Sequence, residues 1–109
     1  MTISYKILGQ SNPTANTSNT VYTVPQSNSA VISTIVVCNL SSNTSSFRLA
    51  AVPSGSSISN RHYINFGTPV PGNDSIAVTI GVTLSANDSI IANAASSNIS
   101  ISVFGSEIY

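Results

Sequence analysis

The sequence predicts an all-β fold: one antiparallel β-sandwich domain over residues 1–109, jelly-roll-like or immunoglobulin-like, with about seven or eight strands. Three observations predict it. Ser, Thr and Asn supply most of the polarity, and such side chains compete for backbone hydrogen bonds and disfavour helix. Short segments of alternating apolar and polar residues recur between turn signals spaced about eight to twelve residues apart. No segment carries a sustained helical period. A small barrel is the competing architecture, since the same strand count allows closure.

The longest apolar run is Ser29–Leu40, SAVISTIVVCNL. Its two parities are Ala30, Ile32, Thr34, Val36, Cys38, Leu40 and Val31, Ser33, Ile35, Val37, Asn39, and both are mainly apolar. A strand with one wet face alternates cleanly, so this one is expected mid-sheet with both faces covered, by another layer or by a neighbouring subunit. Before it, Thr2–Leu8 alternates Ile3, Tyr5 and Ile7 with Thr2, Ser4 and Lys6 and predicts a first strand. Gly9–Asn19 is a polar loop, a candidate arm that orders on a neighbour, and Thr20–Val24 is a strand stopped by Pro25.

After the central run, Ser41–Ser45 is a turn, and Phe47, Leu49 and Ala51 then alternate with Ser46, Arg48 and Ala50. Pro53–Asn60 is a loop. Arg61–Phe66 is a strand with Ile64 and Phe66 inward, and Gly67–Asn73 is a loop restricted by two prolines. Ser75–Leu84 has the cleanest alternation, with Ile76, Val78, Ile80, Val82 and Leu84 on one side. Asp88–Asn93 and Asn98–Phe104 complete the set, the latter with Ile99, Ile101 and Val103 inward.

Only six residues are charged: Lys6, Arg48, Arg61, Asp74, Asp88 and Glu107, with zero net charge. Ordinary soluble domains are roughly a quarter charged. Three scattered cations build no phosphate-neutralising patch, so neither nucleic acid nor a membrane surface is an expected partner. A nearly uncharged surface suits a subunit whose surface is taken up by partners. The segment MTISYKILGQ has no basic region followed by an apolar stretch, so no signal peptide is expected and folding is expected in a cytoplasm. The Asn-x-Ser/Thr triplets at Asn16, Asn39, Asn43, Asn73, Asn87 and Asn98 are then chance matches.

Chemistry-bearing residues are few. Cys38, the one cysteine, lies in the apolar run and is expected as a buried small hydrophobe. His62 is the one histidine; a Cys38–His62 dyad, or a serine with His62 and Asp74 or Asp88, is conceivable, but no Gly-rich elbow presents a nucleophile. His62 is expected as a packed or surface residue. The tetrapeptide NDSI occurs at Asn73–Ile76 and again at Asn87–Ile90. Asp74 and Asp88 could be paired metal ligands, yet a hard cation wants six or more oxygens, and Asn-Asp more simply starts a turn by bonding its own backbone. No catalytic, cofactor-binding or metal residue is assigned, and the expectation is a non-enzyme. Tyr5, Tyr22, Tyr63 and Tyr109 could stack on sugar rings, though they do not share one strand face, and packing is the commoner role.

The blocks YKILGQ (Tyr5–Gln10), YTVPQSNSAVISTIVVCNL (Tyr22–Leu40), FRLAAVPSG (Phe47–Gly55), NRHYINFGTPVPGNDSI (Asn60–Ile76), IGVTLSANDSI (Ile80–Ile90) and VFGSEI (Val103–Ile108) resemble small virion structural proteins of tailed bacteriophages, notably cyanophages. The resemblance implies a non-enzymatic β-sandwich on a phage particle, assembled in the host bacterial cytoplasm. Its expected role is capsid decoration (cement); the alternatives are a neck, tail, fibre or baseplate component, and a glycan- or receptor-binding module. The implied partners are other virion proteins, either the major capsid protein or tail and neck proteins; because such interfaces are often built by symmetric oligomers, a homo-oligomer such as a trimer is also expected.

Overall fold

The computed structural model describes residues Met1–Tyr109 as two antiparallel sheets packed face to face. The strands are β1 (Ile3–Ser11), β2 (Asn19–Thr23), β3 (Ser29–Asn39), β4 (Ser45–Val52), β5 (Tyr63–Val70), β6 (Ser75–Val78), β7 (Val82–Leu84), β8 (Ser89–Ala94) and β9 (Ile99–Ile108). A 3-10 turn at Asn60–His62 precedes β5. The first sheet has the order β1-β9-β3-β6, with β7 continuing β6 along the same edge of β3; the second has the order β2-β8-β4-β5. The chain crosses from sheet to sheet at every connection except β4–β5 and β6–β7. With β6 and β7 taken as one interrupted strand, this is the order of an eight-stranded jelly roll. The topology therefore selects the jelly roll over the immunoglobulin and barrel alternatives.

Both sheets contribute to one core of 17 buried residues, with Ile32, Ile35, Val37, Ile101 and Val103 from the first meeting Phe47, Leu49, Val70, Ile90 and Ala92 from the second. Each large aliphatic or aromatic side chain so buried contributes roughly 1.5–3 kcal/mol. Asn39 is buried among them, and its polar groups are all engaged. Its Nδ2 donates to the carbonyls of Asn43 (2.7 Å) and Val70 (3.0 Å), and its Oδ1 accepts from Ser41 N–H (3.0 Å) and Ser41 Oγ (2.9 Å). One side chain thereby fastens the end of β3 to the end of β5.

β3 lies mid-sheet as expected, and a β-bulge explains why both of its parities read as apolar although only one face meets the other sheet within the chain. The β3–β9 register passes from Ile32↔Gly105 to Thr34↔Phe104, leaving Ser33 as an extra residue. Ala30 and Ile32 point inward before it, and Ile35, Val37 and Asn39 point inward after it. Each parity is thus core-facing over half the strand, which makes both read as apolar. The opposite face, with Val31, Thr34, Val36 and Cys38, is only partly covered. Cys38 is accordingly half-buried on the outside of the sheet, not sealed in the core.

Several boundaries differ from expectation. β1 continues through Gly9 to Ser11 over a bulge at Leu8. The stretch after it is tied to its own chain and not held out as an arm: Asn12 Nδ2 donates to the carbonyls of Ser97 and Ile99, and Asn16 N–H to that of Ala94. β5 runs through Gly67, at φ +71°, to Pro69 and the fully buried Val70; Pro69 is tolerated because β5 is an edge strand. Register shifts in the β4–β5 pair turn Phe66 outward, 60% exposed, while Ile64 packs on the core. Ser75–Leu84 breaks at Thr79–Gly81, opposite the bulge in β3, and exposes Ile80. β9 extends past Phe104 to Ile108, because Gly105 lets the Val31 carbonyl approach to where a Cβ would lie 2.1 Å away.

Gly9 is constrained in the same way: a Cβ there would sit 2.2 Å from the carbonyl oxygen of Val21, where β1 approaches β2. Gly9→Ala is expected to cost about 1–3 kcal/mol through backbone displacement, a fall in Tm of about 4–8 °C per kcal/mol. Gly81→Ala, with open space around its Cβ, serves as the control. Thermal melts in which the two variants match would show that the close approach at Gly9 carries no cost.

Candidate functional site

The outer face of the first sheet is the largest departure from an ordinary solvated surface. Its cross-strand rows follow from the register. Ile3 and Ser29 flank Ile108; Tyr5 and Val31 flank Ser106; Ile7 and Thr34 flank Phe104; Gln10 and Val36 flank Ser102. The alternation of β1 thus points its apolar side away from the core, because the inward positions are Ser4, Lys6 and Leu8. Tyr5 is 82% exposed, Ile7 54% and Ile3 45%. A shallow groove of about 670 Å³ lies among Tyr5, Ile7, Val31 and Phe104. Lys6 also borders the groove, its ammonium engaged by Glu107, and the rest of the surface is apolar side chains interspersed with serine, threonine and glutamine.

Lys6 is on the other parity of β1, and this places its ammonium on Glu107. Glu107 is 4% exposed. Its Oε1 lies 2.6 Å from Lys6 Nζ, and its Oε2 accepts a 2.6 Å hydrogen bond from the Tyr22 hydroxyl. The trio joins β1 and β9 of one sheet to β2 of the other. Hydrogen bonds from Lys6 and then Tyr22 hold the Glu107 carboxyl below the ordinary glutamate range, against the upward push of burial. Burial and the neighbouring carboxylate push the Tyr22 phenol upward, and Lys6 is raised chiefly by its bond to Glu107. The spacing of Lys6, Tyr22 and Glu107 along the chain carries no sign of this cluster; an unusually isolated acidic residue in an apolar strand is its one sequence cue.

The remaining candidates are dispersed. Cys38 is on the outer face of the first sheet, whereas His62 is in the turn leading to β5 of the second. His62 is buried, and its Nδ1 accepts from Ser59 N–H at 3.0 Å, closing that turn. Asp74 accepts from Ser75 N–H (2.8 Å). Asp88 uses both oxygens on backbone, Oδ1 on Ser54 N–H and Oδ2 on Ser85 N–H, each 2.8 Å. Asn73 and Asn87 adopt positive φ, 55° and 67°. The NDSI echo is therefore one turn used twice, each copy leading into a strand. No group of three His, Cys, Asp or Glu side chains comes together, and no helix is long and apolar enough to cross a membrane. Among the tyrosines, Tyr22 is buried, Tyr5 stands on the apolar face, Tyr109 ends the chain beside Thr2, and Tyr63 packs edge-on to Phe66 at 4.9 Å. They form no common platform.

No protein-family model, no curated protein and no solved structure matches the chain.

A lowered carboxyl pKa stabilises the fold above the unfolded glutamate value of about 4.3, and that stability is lost as pH falls through the folded value. A raised phenol pKa acts oppositely, its contribution being lost as pH rises beyond about 10. Tyr22→Phe, which removes a buried hydrogen bond to a charged group, is expected to cost about 1.5–3 kcal/mol at neutral pH. Glu107→Gln is expected to flatten the loss of stability below about pH 4.3. Urea titrations across that range test both; an unchanged acid limb in Glu107→Gln would place the acid sensitivity on other groups.

Proposed function

We propose that the chain is a non-enzymatic structural subunit of a tailed-phage virion, a capsid decoration (cement) protein that stabilises the particle through subunit contacts. The observation that carries this reading is the apolar outer face of the first sheet, presented by β1, β9 and β3 on a body with only six charged residues. The sequence resemblance supplies the virion context, and the jelly roll is a recurrent architecture of viral capsid domains. The aspartates and the histidine serve turns, and Lys6, Glu107 and Tyr22 link strands, which supports a structural role.

The mechanism is additive burial. At about 25 cal/mol per Å² of apolar area, each of Ile3, Tyr5 and Ile7 gains on the order of 1–2 kcal/mol when covered. Association costs about 4–15 kcal/mol in lost freedom of motion. One such patch therefore holds weakly alone and strongly when several contacts close together, as in a homotrimeric ring seated on a capsid lattice. Cys38, at the margin of this face, stays reduced in a bacterial cytoplasm, where the particle assembles.

Immunogold electron microscopy of intact virions tests the placement. Gold spread over heads is the expected result; gold confined to the neck, tail or tail tip would move the protein to that apparatus and end the cement reading. Absence of the chain from purified particles by mass spectrometry would end the virion reading altogether. Tyr5→Lys combined with Ile7→Glu should keep the Tm of the free chain and abolish incorporation. Maleimide should label Cys38 in the free chain and fail to label it in the particle.

A further inference from the structure

The outer face of the second sheet has a different chemistry. Arg48 of β4 lies between Phe66 of β5 and Asn93 of β8 in the cross-strand register. Its guanidinium carbon stands 4.0 Å from the centroid of the Phe66 ring, and Tyr63 braces that ring edge-on. Arg48 is thus held over an aromatic face with its N–H groups free: it has neither a carboxylate partner nor a hydrogen bond within the chain. It borders a depression of about 200 Å³ completed by Ser46, Asn93, Asn16, Ala95 and Gly67. Asn16 reaches the rim at φ 59°, its N–H fixed on the Ala94 carbonyl. A bond from Asn65 Nδ2 to Thr68 Oγ1 (3.2 Å) spans the bulge at Gly67, which has no side chain to fill the opening.

The contrast with the other charged groups is informative. Lys6 is paired with Glu107, and Asp74 and Asp88 bond to backbone; Arg61 is also unpaired, but it is exposed on the 3-10 turn with no ring beneath it. Arg48 is a cation immobilised at a concavity with no counter-charge supplied. The planar fork of an arginine matches a carboxylate through two parallel hydrogen bonds. A single cation balances one negative charge, which suits a carboxylate better than a phosphate dianion. The two asparagine amides and the Ser46 hydroxyl offer donors and acceptors together, as vicinal hydroxyls require. The volume lies below the roughly 300–1,000 Å³ typical of drug-sized ligands and matches one sugar ring.

We infer that the Arg48 depression is a binding site for a carboxylated sugar residue, a uronate of an acidic polysaccharide. This site is on the sheet opposite the apolar face and is independent of the virion reading. The uronate carboxylate sits on Arg48, and its ring hydroxyls meet Asn93, Asn16 and Ser46. Single-site recognition of this kind is weak, on the order of 1 mM, and gains strength when copies act together on a polymer.

The test is titration of the isotopically labelled full chain with galacturonate, galactose and inorganic phosphate, followed by amide chemical shifts. Galacturonate is expected to shift Ser46, Gly67, Asn93 and Ala95, with galactose at least about tenfold weaker. Arg48→Gln should lose binding while keeping the Tm. Arg48→Lys, which keeps the charge and loses the fork, should weaken it about tenfold. Equal response to galactose, equal affinity for phosphate, or full binding by Arg48→Gln would each overturn the assignment, as would shifts confined to another part of the chain.

Discussion

The extra residue at Ser33 is the constraint on which the rest of the molecule rests. β3 pairs with β9 along one edge and with β6 and β7 along the other, so its register sets that of the whole first sheet. A regular strand keeps one parity inward throughout. The bulge exchanges parities midway, delivering Ala30 and Ile32 and then Ile35, Val37 and Asn39 to the same core. The gap between β6 and β7 falls opposite it, the edge strand breaking where its partner does. The apolar residues left outside, Val31 and Val36, continue the band begun by β1.

Charge is placed with similar economy. Of the six charged residues, four are engaged within the chain. Glu107 is held between the sheets by Lys6 and Tyr22, so one carboxylate links β1, β2 and β9. Removing a carboxylate from water is costly unless its lone pairs are satisfied; Glu107 is buried while Lys6 keeps much of its side chain in solvent, and the Tyr22 hydroxyl fills the second oxygen. Asp74 and Asp88 stabilise equivalent turns. Arg48 and Arg61 have no partner within the chain, and of the two Arg48 is the one that stands over an aromatic ring.

The two outer faces therefore differ in kind. The first sheet offers exposed apolar side chains around a shallow groove whose one cation, Lys6, is already paired with Glu107, a surface suited to being covered by protein. The second offers a fixed cation in a depression with amides and a hydroxyl around it, a surface suited to a polar ligand. A sandwich separates such faces without linking them mechanically, so assembly on one side leaves the other open.

Much of this was legible along the chain. Eight strand segments, the turn chemistry of Asn-Asp, and the inward set Ile99, Ile101 and Val103 follow from apolar patterning between turn signals and from the φ preferences of asparagine. The jelly-roll order did not, since antiparallel alternation looks the same whichever strand lies alongside. Phe66 was expected inside because its parity matches Ile64, and register shifts against β4 reversed it. Gly9 and Gly105 lie just past the predicted ends of the first and last strands, yet each continues its strand and allows a neighbouring carbonyl to come close. The Lys6–Glu107–Tyr22 link and the Arg48 depression join residues far apart in the chain, and only strand pairing brings them together. Alternation is a local property of the backbone, so residue order alone establishes it. Which face is covered, and which side chains meet across sheets, depend on register and packing between distant segments, and these exist only once the chain has folded.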